Sequence, residues 1–123
     1  MPSFLACIFV FLGGGVGSLF RYAVWLFARP WQAKFPWATL IANGLACVAL
    51  GVFLGWQSQA LLSDQRRLLL VTGFCGGFST YSTFTAETWG LWQSGHPGAA
   101  VANAVLNLVV CLGCLFVGLK IGG

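Results

Sequence analysis

Charged side chains are scarce in this sequence. Only 7% of its 123 residues are Asp, Glu, Lys or Arg, and 59% are hydrophobic, whereas soluble domains carry about 25% charged residues. A soluble fold of this size could not cover so much apolar surface, so the composition predicts a membrane protein of one domain, residues 1–123. The six basic residues are spread along the chain, which excludes the clustered basic face of a nucleic-acid-binding protein.

Other features of secreted or redox proteins are also missing. The first apolar stretch has no basic segment before it and no cleavage site followed by a polar domain, so we expect no cleavable signal peptide. The five cysteines are an odd number in apolar stretches, which favours small packed side chains over disulfides. Cys111 and Cys114 form a C-x-x-C pattern in the middle of an apolar stretch, where packing is the better interpretation than a metal or redox site.

What the sequence does contain is four long apolar stretches separated by short connections. A membrane-spanning helix needs about 20 such residues. The stretches run from Phe4 to about Ala28, Trp37 to about Gln57, Leu68 to about Trp92 and Gly98 to about Ile121. They predict an all-α, multi-pass membrane protein with four transmembrane helices.

The positive charges are balanced across the predicted membrane. Four spans would put Arg66, Arg67 and Lys120 on one side, and Arg21, Arg29 and Lys34 towards the other. With three basic residues on each side, the positive-inside rule gives no preferred orientation. Insertion in both orientations, and hence an antiparallel homodimer, is one interpretation; a fixed orientation set by another feature is the alternative.

The third span contains the segment that says most about function. Residues 73–84 hold three glycines, five hydroxyl or phenol groups and no charge. Glycines weaken a helix, and an opened backbone at membrane depth is tolerated only where it is buried in protein or lines a wet cavity. The segment therefore predicts a helix broken near its middle and followed by a hydroxyl-lined helix, an architecture that handles small ions.

Polar side chains at helical spacing follow the break and recur in other spans. One stripe contains Thr80, Thr83 and Glu87, and the neighbouring stripe contains Tyr81, Phe84 and Thr88. The other polar residues within the spans are Arg21 in span one, Asn43 in span two, and Asn103 and Asn107 in span four. Hydroxyls and amides donate hydrogen bonds to anions, and aromatic ring edges carry partial positive charge. Each asparagine alone is more typical of a bridge between helices, but together with the third span they favour an anion path.

These residues closely resemble the signature of the Fluc family of small fluoride channels, also called CrcB. The resemblance extends over the whole chain. It is carried by Gly14-Gly15-x-Gly17 with Arg21-Tyr22, by Thr39-x-x-x-Asn43, and above all by Gly-Phe-Cys-Gly-Gly-x-Ser-Thr-x-Ser-Thr-Phe from Gly73 to Phe84 with Glu87 beyond it.

The resemblance implies a passive channel, not an enzyme, which lets fluoride leave the cytoplasm across the lipid bilayer of a bacterial inner membrane. It implies an antiparallel homodimer with two pores and a structural sodium ion at the dimer centre. The positions that match the family's functional residues are Asn43, Tyr81, Phe84, Ser82 and Thr83 in the pore, Arg21 and Glu87 in the vestibule, and the backbone carbonyls of Gly76 and Ser79 around sodium. Tyr81 stands where the family usually has Phe, and Ser79 where Thr is common.

Two other functions share some of these features. A proton-coupled exporter of the small multidrug resistance type is also small, four-spanning and dual in topology, but it needs a carboxylate in span one, where this chain has Arg21 and no acid. A membrane anchor subunit would need neither the hydroxyl stripe nor the broken span.

Overall fold

The computed structural model describes residues 3–123, and all regular structure in that range is helical. In chain order the helices are α1 (Ser3–Ala28), α2 (Trp37–Ser58), α3 (Asp64–Arg67), α4 (Gly76–Phe78), α5 (Tyr81–Gln93) and α6 (Pro97–Gly122), with a 3-10 turn at Arg29–Trp31 and a π-helical segment at Leu68–Cys75. Within the described residues, three helical stretches are long and apolar enough to cross a membrane: Ser3–Trp31, Trp37–Ser58 and Pro97–Gly122. The chain is thus a multi-pass membrane protein, and its outer surface is apolar, as a lipid environment requires.

The third predicted span has a more complex structure than the other three. Helical backbone runs through residues 64–78, stops for Ser79 and Thr80, and resumes in α5. Ser79 (φ −83°, ψ 157°) and Thr80 (φ −149°, ψ 118°) are both extended. The π-helical turns at Leu68–Cys75 were not predicted from the sequence. Such turns are rare and frequently occur at functional sites.

Glycines allow α2 and α6 to pack with their backbones in contact. A Cβ added at Gly118 would collide with the carbonyl oxygen of Val48, and one at Gly51 would lie 2.7 Å from the Leu119 nitrogen. Such a close approach is possible only without side chains at the crossing. Gly51 and Gly55 have G-x-x-x-G spacing, and both lie at this crossing, since a Cβ at Gly55 would lie 2.7 Å from the Gly122 carbonyl carbon.

A second glycine interface joins α1 to the helical run before the interruption. Cβ atoms at Gly13 and Gly17 would lie 2.9 Å from the Phe74 nitrogen and 2.8 Å from the Phe78 nitrogen, respectively. Gly77 faces the backbone of Gly14 in the same way. These contacts hold the run against α1 and so fix where the interruption at Ser79 and Thr80 lies.

Candidate ion pathway

The interruption is bridged by the side chain of Asn43 in the middle of α2. The backbone N–H of Thr80 donates to Asn43 Oδ1 at 2.7 Å, and Asn43 Nδ2 donates to the Thr80 carbonyl at 3.2 Å. One side-chain amide thus pairs both backbone groups of a residue that has left the helix, and this removes the cost of unpaired backbone at membrane depth.

The same hydrogen bonds deprive two carbonyls of their usual helical partners. In a continuous helix the N–H of Thr80 would pair with the carbonyl of Gly76, but here it donates to Asn43. The N–H of Thr83 would pair with the carbonyl of Ser79, but it donates to Thr80 Oγ1 at 3.2 Å, which caps α5. The hydroxyl of Ser79 itself donates to the Cys75 carbonyl at 2.9 Å.

These two carbonyls have the chemistry of a cation site. Backbone carbonyl oxygens are the ligands that hard monovalent cations accept in place of water. A Cβ added at Gly76 would meet nothing within 4 Å, so the surface beside it is open. The donor set predicted for sodium, Gly76 and Ser79, is therefore compatible with the backbone seen here, and it needs no side-chain ligand.

A cavity of about 340 Å³ opens beside the interruption. It is lined by Asn43, Cys47, Ser79, Thr80, Tyr81, Phe84, Ala104, Asn107, Leu108 and Cys111. Three predicted pore residues, Asn43, Tyr81 and Phe84, thus line one space. The two rings lie 5.7 Å apart at 50°, and Tyr81 is 81% exposed in the single chain, so the cavity has an open side.

A second cavity, of about 300 Å³, holds the predicted vestibule residues. It is lined by Ser18, Arg21, Tyr22, Trp25, Ala38, Thr39, Thr80, Thr83 and Glu87. The predicted stripe of Thr80, Thr83 and Glu87 does face one space, together with Arg21. Thr80 lines both cavities, so a residue of the interruption borders the two spaces. We call the first the Asn43 cavity and the second the Arg21 cavity.

The two charged residues of the Arg21 cavity are each held by a neutral partner. Arg21 Nε donates to the Gly77 carbonyl at 3.1 Å, and Glu87 Oε2 accepts from Gln32 Nε2 at 3.1 Å. Gln32 in turn accepts the Ala38 N–H at 3.0 Å, which ties it to the start of α2. Within residues 3–123, Oε1 of Glu87 is a buried oxygen without a hydrogen-bond partner.

The hydroxyls of Ser82 and Thr83, the two residues predicted to form a hydroxyl track, both lie within hydrogen-bonding distance of Thr80 Oγ1. Thr80 Oγ1 donates to Thr83 Oγ1 at 3.1 Å and lies 3.3 Å from the Ser82 hydroxyl. Ser82 is exposed, while Thr83 lines the Arg21 cavity. The sequence placed Thr80 on the polar stripe but did not single it out, and its N-cap position before α5 was the signal that could have done so.

The two asparagines of α6 lie on the buried side of that helix. Asn103 is 1% exposed and Asn107 6% exposed. Asn107 Nδ2 donates to Asn103 Oδ1 at 3.0 Å, and Asn43 Nδ2 lies 3.5 Å from Asn107 Oδ1. The asparagines therefore bridge helices, as each alone predicts, and Asn107 also lines the Asn43 cavity.

Comparison with known proteins shows the family to which the chain belongs. The family model described as CrcB-like protein, Camphor Resistance (CrcB), matches residues 8–119. The chain belongs to the CrcB family. All nine predicted site residues lie inside the matched range.

Curated relatives of this CrcB-family chain are named fluoride-specific ion channels. One from Erythrobacter litoralis is 36% identical, over 98% of this chain and 94% of its own length. One from Saccharophagus degradans is 39% identical, over 95% of this chain and 89% of its own length. A third, from Thermus thermophilus, is 38% identical over 94% of both chains. These relatives are ion channels, not enzymes, and the match extends over nearly the whole of each of them.

Proposed function

We propose that the chain forms a passive, fluoride-selective channel that lets fluoride leave the cytoplasm across the inner membrane of a bacterium. The observation that carries the proposal is that Thr80 lines two cavities, one with the charged Arg21 and Glu87 and the other with an amide, hydroxyls and aromatic rings. The name shared by the relatives, fluoride-specific ion channel, supports the choice of ion.

The anion would pass from one kind of donor to the next. Arg21 supplies positive charge in the Arg21 cavity, Thr80 and Thr83 supply hydroxyls at the junction, and Asn43 with the ring edge of Phe84 follows in the Asn43 cavity. Each group replaces part of the water lost by fluoride without binding it as tightly as a fixed cation would. A narrow path of this kind favours a small, strong acceptor over chloride.

No energy source is needed for export. An interior-negative potential drives an anion outwards with about 2.3 kcal/mol per charge per 100 mV. Fluoride that enters as neutral HF from acidic surroundings and dissociates inside would leave by this route. The channel would therefore lower fluoride toxicity simply by being open.

The fourth transmembrane crossing would be the broken one. α5 has 13 residues, about 20 Å of helix, which is shorter than a hydrocarbon core of about 30 Å. Residues 64–78 and α5 together are long enough, with the extended Ser79 and Thr80 between them. The extended pair is tolerable at that depth because Asn43 pairs the Thr80 backbone.

Two chains would be arranged antiparallel, with the breaks meeting at the centre. The open side of the Asn43 cavity and the exposed Tyr81 ring call for a covering surface, and the balanced charges permit both orientations. A sodium ion on the dimer axis would be held by the carbonyls of Gly76 and Ser79 from both chains. Its role would be structural, since it would hold two opened backbones together and take no part in conduction.

Fluoride efflux from proteoliposomes tests this function. Vesicles loaded with potassium fluoride and diluted into fluoride-free buffer should release fluoride only when valinomycin carries the compensating potassium, and without any proton gradient. Vesicles lacking protein are the control. Efflux that requires an opposed proton gradient would indicate a proton-coupled exporter instead of a channel. No efflux under either condition would reject both functions.

A further inference from the structure

We propose that the thiols of Cys47 and Cys111 form a binding site for one soft, two-coordinate metal cation of the copper(I) class in the wall of the Asn43 cavity. The inference goes beyond the proposed function, because metal binding by two thiols does not depend on which ion the chain conducts. It rests on the proposed function only for the effect of the bound cation on fluoride flux.

The register of α2 against α6 brings the two cysteines together. Asn43 lies 3.5 Å from Asn107, and the glycine contacts between the two helices follow in the same order along both, so α2 and α6 run in the same direction. Cys47 and Cys111 each lie four residues beyond one of these asparagines, on the same helix face. Both cysteines line the Asn43 cavity, and their thiols are close enough to share a hydrogen bond.

The pair in the cavity is not the pair that the C-x-x-C pattern suggests. Cys47 and Cys111 are both free and half-buried. Cys114, the neighbour of Cys111 in the pattern, packs against Gly44, where an added Cβ would lie 3.6 Å from Cys114 Sγ. The two thiols that face one space therefore come from different helices, 64 positions apart in the sequence.

The donor set selects the class of metal. Within residues 3–123, no group of three or more His, Cys, Asp or Glu side chains is placed to hold a metal ion, which excludes zinc and iron–sulfur clusters, since these need more than two protein ligands. The amide oxygen of Asn43 already accepts the Thr80 N–H. Two sulfur ligands favour a soft cation such as copper(I), which accepts two thiolates in a linear arrangement.

Binding would change the charge of the cavity wall. Each thiol loses its proton to water as its sulfur bonds to the metal, so M⁺ and two RSH give [M(SR)₂]⁻ and two H⁺, and no electron is transferred. The site thus gains one negative charge, one helical turn or about 6 Å along α2 from Asn43. At an effective dielectric constant of about 20, this charge would slow the passage of fluoride past Asn43 by about a hundredfold.

Silver(I) is the probe, because it is soft and monovalent and, unlike copper(I), is stable in air. The full chain is titrated in detergent and chloride-free buffer after Cys7, Cys75 and Cys114 are replaced by alanine, so that only the pair remains. We expect one silver ion per chain by mass spectrometry and the release of two protons. Cys111→Ala in this background should weaken silver binding by about a hundredfold or more, because the second thiolate acts intramolecularly.

A matched control keeps two thiols but not the pair. This background retains Cys111 and Cys114 and replaces Cys47 instead, and it should bind silver only as tightly as a single thiol does. Equal silver affinity in the two backgrounds would overturn the proposal. If the multiple variants do not assemble, the parent chain is treated with a maleimide, and silver at one equivalent should protect Cys47 and Cys111 together. Protection of neither, or of one alone, would also overturn the proposal.

Fluoride efflux from liposomes measures the effect on conduction. Silver is bound before reconstitution, so that its entry into the vesicles does not limit the result. Efflux through the pair-only chain should fall by about a hundredfold and recover when dithiothreitol removes the silver. In Cys111→Ala, silver on a single thiolate adds no net charge, so efflux should stay near its silver-free value. Unchanged efflux with silver on both thiols would overturn the effect on conduction. A parent protein that passes no fluoride would overturn the proposed function instead, while the silver titration would still decide whether the site exists.

Discussion

Oδ1 of Asn43 accepts the backbone N–H of Thr80 at 2.7 Å, which joins the middle of α2 to the interruption between α4 and α5. The same amide faces the cavity that also contains the rings of Tyr81 and Phe84. One side chain therefore stabilises the opened backbone and offers a donor to an anion. Changes at Asn43 must be chosen so that these two roles are separated.

Asn43→Asp keeps an oxygen for the Thr80 N–H but replaces Nδ2, which donates to the Thr80 carbonyl, by a second oxygen, so its assembly has to be measured beside its conduction. The added negative charge would oppose a fluoride ion at 4 Å by about 4 kcal/mol at an effective dielectric constant of 20, which corresponds to about a thousandfold in rate. We expect almost no fluoride efflux from liposomes, with unchanged elution of the assembled protein on size exclusion. An Asn43→Asp protein that assembles and conducts normally would remove Asn43 from the path.

The sequence predicted most of the helices, but it placed the break only within residues 73–84. The apolar stretches alone predict the first and last residues of α1, α2 and α6 to within a few positions. The interruption is different, because residues 73–84 contain three glycines and five hydroxyl or phenol groups and so offer several places where a helix could open. The choice of Ser79 and Thr80 depends on Asn43, 37 positions away in the sequence, and on the close contact of Gly77 with Gly14.

For the candidate site, the sequence predicted the types of residue but not their hydrogen-bond partners. The kinds of groups in the path followed from helical spacing and from the family resemblance. Their hydrogen-bond partners could not be predicted in this way. Gln32 bonds to Glu87 and Thr88 bonds to Asn103, although these pairs are 55 and 15 positions apart in the sequence. No local pattern specifies such pairs, since they depend on how the helices cross.

Two glycines of α6 should respond oppositely to the same substitution. Gly118→Ala would place a methyl group against the Val48 carbonyl, and overpacking of this kind costs about 1–3 kcal/mol. Gly113→Ala meets nothing within 4 Å and should be neutral or stabilising by up to about 1 kcal/mol, because alanine favours helix. Thermal unfolding in detergent would compare them; equal midpoints would contradict the backbone contact between α2 and α6.

Sodium should stabilise the assembled protein if the carbonyls of Gly76 and Ser79 bind it. Sodium at 100 times its dissociation constant would add about 2.7 kcal/mol to the free energy of unfolding. We expect the midpoint of thermal unfolding to rise with sodium concentration and to stay constant when N-methylglucamine replaces sodium at equal ionic strength. The same rise with both cations would show a general salt effect and no cation site.

The antiparallel arrangement predicts that both ends of the chain are found on both sides of the membrane. A peptide tag after Gly123 should be reached by a protease or antibody from each side in about equal amounts, because the balanced charges leave insertion without a preference. A tag in the loop at residues 32–36 should give the same result. Access from only one side would rule out dual topology for this chain.

The rings beside Asn43 should guide the anion through their edges and not through their bulk. Tyr81 and Phe84 line the Asn43 cavity with centroids 5.7 Å apart, and an aromatic edge carries partial positive charge that an aliphatic side chain lacks. Phe84→Ile keeps size and apolarity, so we expect the dimer to assemble and fluoride efflux to fall by about tenfold or more, as for the loss of about 1.4 kcal/mol of transition-state stabilisation. Tyr81→Phe keeps the ring and removes only the hydroxyl of an exposed residue, so its efflux should remain near that of the parent.

Efflux from both variants is measured with a fluoride electrode at matched protein density. The ring-edge role fails if Phe84→Ile conducts like the parent, or if Tyr81→Phe loses conduction while still assembled.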